Sequence, residues 1–158
     1  PVTAALSDLT PELFQKVFEV NTKGPWYLAS RAAPRMASHG GGSIINVISV
    51  GGLKPPAYQG FYAGSKAALH ALTKVMAAEW AQIGVRVNAL APGSFHSDMF
   101  DNSAKVLPGF VEGSIATTLQ KRIAETDEIV GSMLYLASDM SSFTTGSTLV
   151  TDGGYLTL

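Results

Sequence analysis

Cysteine is absent from the 158 residues, which excludes disulfides and thiolate metal sites and is compatible with a reducing compartment. Charge is scarce: Asp, Glu, Lys and Arg make up 15% of the chain, the net charge is −1, and no basic block occurs. Such a balance offers no electrostatic footprint for nucleic acid or for an anionic membrane. No apolar run is long enough to span a bilayer, and Pro1-Val2-Thr3-Ala4 has neither the basic start nor the apolar core of a signal peptide. The cytoplasm is therefore the expected location. The chain opens on Pro rather than Met, as a processed or truncated protein would. His39, His70 and His96 lack metal-ligand spacing, so no metal is expected. Val47 stands two positions before Ser49 where a hydrolase's nucleophile elbow needs Gly, which argues against a hydrolase.

What the chain does have is apolar substance: 46% of it is hydrophobic, enough for one domain with a buried core, and neither repeat nor linker divides it. Thr10-Pro11-Glu12 reads as a helix start, with an N-cap hydroxyl, Pro at the first helical position and an early acid. Helical periodicity continues to about Ala37, with an irregularity expected at Gly24-Pro25. The nearly unbroken apolar, β-branched run Ser43–Ser49 reads as a strand buried on both faces, the kind found in parallel sheets. A long helix is predicted from about Phe61 to Ile83, a strand over Val85–Leu90, and short helices between Ser94 and Glu125. Thr126-Asp127-Glu128 starts another helix, and Thr148–Thr151 is a short last strand. Strands alternating with helices imply βαβ units and an α/β fold, and Trp26 and Trp80 read as packing residues.

Chemistry concentrates on Tyr62-Ala63-Gly64-Ser65-Lys66. Positions i and i+4 share a helical face, so a phenol and an ammonium there reach one site. A tyrosine at its reference pKa of ~10 is a poor base at neutral pH, and a fixed positive charge beside it favours the phenolate. The pair suits general acid/base work. Ser49 closes a predicted strand 13 residues earlier (62 − 49), where open parallel sheets place ligands, and its hydroxyl suits a developing charge on a carbonyl oxygen.

Together these segments resemble the short-chain dehydrogenase/reductase family, in its compact, mostly tetrameric subfamily. Val20-Asn21-Thr22 is similar to the helix with the family's catalytic Asn, and Gly42–Ser49 to its catalytic-Ser strand. Tyr62–Leu69 is similar to its YxxxK helix, and Val87–Gly93 to the strand and Pro-Gly turn beneath the nicotinamide. Leu136–Asp139, Thr145-Gly146 and Asp152-Gly153-Gly154 match its C-terminal signature.

The resemblance implies an NAD(P)-dependent oxidoreductase interconverting a small alcohol and a ketone. Tyr62 would move the proton, and Lys66 would lower its pKa and bind the nicotinamide ribose. Ser49 would polarise the carbonyl, and Asn21 would shape a water relay to Lys66. Pro92, Gly93, Phe95 and Ser97 would adjoin the nicotinamide; Phe95 stands where the family has Ile or Val, and Ser97 where it has Thr. The fold implied is the C-terminal part of a doubly wound, parallel-sheet, Rossmann-like domain whose N-terminal βαβ half is absent. Gly40-Gly41-Gly42 does not replace that half's phosphate loop, because it precedes a strand instead of following one and opening a helix. NAD and NADP both remain open. So does a second class, a truncated, non-catalytic chain that acts at most in assembly. Of the two long helices, Glu12–Ala37 and Phe61–Ile83, the second carries small residues on two faces, and with the resemblance this implies a homodimer or homotetramer assembled through both.

Overall fold

The computed structural model describes residues 3–158. Thr10 caps helix α1 (Pro11–Phe18), its hydroxyl accepting from the Leu13 N–H. The helix then widens into a π turn over Glu19–Lys23 before α2 (Gly24–Ala37). Pro25 gives the physical reason: it has no N–H to donate to the Asn21 carbonyl four residues back, so the α ladder cannot run through this point. The expected irregularity is present, placed one turn ahead of the Gly-Pro pair.

Three strands follow, β1 (Gly42–Val47), β2 (Val85–Pro92) and β3 (Thr148–Thr151), all parallel in the order β1-β2-β3. Helix α3 (Gly60–Trp80) crosses from β1 to β2, extended by a 3₁₀ turn to Ile83, and Gly84 reverses the chain at φ 78°. Helices α4 (Asp98–Val106) and α5 (Phe110–Ala116) fill the segment after β2. Helix α6 (Val130–Ala137) leads to β3 and begins later than the sequence suggests. Thr126–Ile129 forms a 3₁₀ turn closed by a capping box between Glu125 and Glu128. Arg122 also binds Glu128 and holds its carboxyl down at about 2.

β2 is the centre of the sheet and is buried along nearly its whole length. One apolar cluster joins Ala29, Ala33, Met76, Ala77, Val85 and Val87, with Trp80 packed against it. A second joins Ile48, Leu69, Ala89 and Ala91. Trp26, by contrast, is exposed and lines a surface groove. The buried polar groups are satisfied: Asn46 donates to the Thr73 hydroxyl (2.9 Å), and Asn88 bonds the Thr144 carbonyl and the Ser147 N–H. β1 differs from the sequence expectation. It has β2 on one side and no strand on the other among the described residues, and most of it is only half-buried.

Candidate active site

Parallel strands end on the same side of the sheet, and the candidate residues gather there. β1 ends at Val47, and Ser49 follows as the cap of a 3₁₀ turn, its oxygen accepting from the Gly51 N–H at 3.1 Å. A hydroxyl that accepts this bond keeps its own proton free to donate.

Two glycines fit this turn to α3. A Cβ at Gly52 would lie 2.9 Å from the Lys66 carbonyl carbon and the Ala67 nitrogen, so only glycine lets the loop lie on the helix backbone there. Gly52→Ala is expected to destabilise the complete protein by about 1–3 kcal/mol, the range of a core overpacking. A denaturant midpoint equal to the parent's would contradict it. A Cβ at Gly51 would sit 3.5 Å from the Ser49 Oγ and 3.8 Å from the Tyr62 Cε1. The serine hydroxyl and the tyrosine ring therefore flank one methyl-sized point.

Tyr62 and Lys66 lie in the first two turns of α3, with the Lys66 Nζ 5.9 Å from the centre of the Tyr62 ring. The ammonium also donates to the Val47 carbonyl at 2.9 Å, which ties it to the end of β1. Burial pushes the Lys66 amine below its usual value, because desolvation disfavours the charged form.

Asn21 sits in the π turn, and its side chain does not face solvent. Its amide donates to the Ser65 Oγ at 3.0 Å. Ser65 itself was no candidate on sequence grounds, since a serine inside an alanine-rich helix carries no signal of its own.

After β2, the Pro92-Gly93 turn is pinned by the Gly93 N–H donating to the Thr151 carbonyl (2.9 Å). A Cβ at Gly93 would come within 2.7 Å of the Asp152 Cα, so the glycine there serves this close approach. Phe95 pairs with Ala124 in a parallel bridge made by the Ala124 N–H to the Ser94 carbonyl and the His96 N–H to the Ala124 carbonyl. In that pattern the Phe95 N–H and C=O project from the opposite edge, a donor and an acceptor side by side. Ser97 caps α4, accepting from the Phe100 N–H at 3.2 Å. The structure thus brings Ser49, Tyr62, Lys66 and, through Ser65, Asn21 together, while Pro92 ends β2 and Gly93, Phe95 and Ser97 follow it. No group of His, Asp or Glu that could hold a metal occurs among the described residues. No described helix is long and apolar enough to cross a membrane.

A parallel sheet crossed by a helix, with a Ser-Tyr-Lys cluster beyond the strand ends, defines an α/β protein of the Rossmann-like, doubly wound class. Residues 2–156 match a family model described as enoyl-(acyl carrier protein) reductase, and the chain belongs to the short-chain dehydrogenase/reductase family. It is 38% identical over 161 residues to dehydrogenase/reductase SDR family member 4 of Bos taurus, covering 99% of this chain and 56% of that protein. With galactitol 2-dehydrogenase (L-tagatose-forming) of Cereibacter sphaeroides it shares 41% over 145 residues, 90% of this chain and 56% of that one. Among solved structures, a gluconate 5-dehydrogenase from Burkholderia cenocepacia in complex with NADP and tartrate superposes with a TM-score of 0.94 at 33% identity. That match covers 99% of this chain and 61% of the other. The chain therefore spans little more than half the length of these curated relatives, as the C-terminal part of the family's domain does. β1, half-buried, has no strand on its outer edge among the described residues.

Proposed function

We propose that these residues belong to an NAD- or NADP-dependent oxidoreductase that interconverts a small alcohol and a ketone, with Tyr62 as general acid and base. The observation that carries this reading is the convergence of three groups. The Ser49 hydroxyl and the Tyr62 ring flank one point beside Gly51, and the Lys66 ammonium lies 5.9 Å from that ring.

In reduction the Tyr62 hydroxyl gives its proton to the carbonyl oxygen; in oxidation it takes the proton back. Ser49, whose own proton is uncommitted, donates to the same oxygen and holds it in line. Lys66 stabilises the phenolate electrostatically. Asn21, tied to α3 through Ser65, would shape a water relay to Lys66. The residues present fit the nicotinamide end of the cofactor. The paired donor and acceptor of Phe95 would match a carboxamide, Ser97 would adjoin it, and Lys66 has further N–H groups for a ribose. Pro92 and Gly93 would lie beneath the nicotinamide. When bound, the nicotinamide supplies or accepts the hydride.

A groove of about 540 Å³ between α1–α2 and α3, lined by Phe14, Phe18, Trp26 and Leu72, supports assembly as a homodimer or homotetramer. The short span supports a second reading, in which the 158 residues alone are non-catalytic. One experiment addresses both. The complete protein should oxidise NADH or NADPH in the presence of simple ketones, whereas calorimetry on the 158 residues alone should show no micromolar dinucleotide binding. A complete protein inert toward every ketone and secondary alcohol offered would overturn the oxidoreductase reading.

A further inference from the structure

Ser65 lies one residue before Lys66 and three after Tyr62 and is fully buried in α3. A buried hydroxyl in a helix is costly unless it is bonded, and this one is bonded in both senses. Its Oγ donates to the Tyr62 carbonyl at 2.7 Å and accepts from the Asn21 amide at 3.0 Å. Its carbonyl accepts from the Thr22 hydroxyl at 2.9 Å. Two consecutive residues of the π turn thus grip one residue of α3, one by the side chain and one by the main chain.

We propose that Ser65 is a positioning residue for proton transfer: it locks the π turn to the helical turn that presents Tyr62 and Lys66. The inference rests on the oxidoreductase reading above. Ser65 touches neither of the proposed reacting groups directly and acts through them. The bond back to the Tyr62 carbonyl fastens the turn from which the phenol projects. The bond from Asn21 fixes the π turn, and with it the backbone of Asn21, at a set height along α3. Alanine at 65 breaks both ties and strands the Asn21 amide. Catalytic geometry is sensitive to shifts on the scale of 1 Å, which can cost ~10²-fold; loosening one of several restraints should cost less.

The test uses the complete enzyme with its best ketone, comparing Ser65→Ala, Asn21→Ala and the double variant. Ser65→Ala is expected to lower kcat ~10-fold while the ketone KM stays within about twofold, the split of an interaction felt in the transition state. Because the two residues act as one unit, the double variant should lose no more than the worse single one. If Ser65→Ala does not fold, Thr22→Val, which removes the other half of the grip, should show the same kcat-selective loss. A kcat within about twofold of wild type, or single losses that multiply in the double variant, would overturn the proposal. A Tyr62→Phe control in the same assay separates the failures: if it is inactive while Ser65→Ala is normal, only the role of Ser65 falls. If it is active, the underlying reading falls instead.

Discussion

Lys66→Ala in the complete protein is expected to lower kcat by ~10²-fold and, at the same time, to weaken cofactor binding by ~10-fold. One ammonium accounts for both losses. It lies 5.9 Å from the centre of the Tyr62 ring, and it ties that helix face to the end of β1 through the Val47 carbonyl. Its pKa is already held below the usual lysine value by burial, so the charge that remains is poorly shielded by water and acts strongly on its neighbours. Removing it takes away the group that favours the phenolate and the donors proposed for the ribose. Steady-state kinetics with separate calorimetry for the dinucleotide would show the two effects. Loss of one with full retention of the other would mean that Lys66 serves a single role.

Much of this was legible in the sequence because the relevant signals are local. Thr10-Pro11 named a capped helix, and the run from Ser43 to Ser49 a strand of a parallel sheet, which the structure places at Gly42–Val47. Tyr62 and Lys66 at i and i+4 shared a helical face by geometry alone. What was hidden depends on partners far along the chain. The irregularity before Pro25 could be expected from its missing N–H, but not that the chain would widen into a π turn and aim Asn21 and Thr22 at Ser65, more than 40 residues away. Nor could Gly52 be told from an ordinary loop glycine, since its requirement comes from the backbone of α3 pressed against it. β1 reads as doubly buried because its residue types suit that environment, yet one of its edges has no strand beside it among the described residues. Trp26 fits the same account: an aromatic suited to a covered face stands exposed on the groove between the helices.

The central claim is that the Tyr62 hydroxyl carries the proton, and Tyr62→Phe removes that group alone. The ring remains beside Gly51, so packing and the neighbouring Ser49 should be undisturbed. Ser49, which also flanks that point, is far from the pKa range of a useful acid at neutral pH and acts as a hydrogen-bond donor, so it does not replace the lost hydroxyl. The measurement is kcat for ketone reduction by the complete protein at saturating cofactor, wild type against Tyr62→Phe, with dinucleotide affinity measured on both. A fall in kcat of ~10² or more at nearly unchanged affinity is the expected result. Near-normal turnover in Tyr62→Phe would contradict the account and remove Tyr62 from the mechanism.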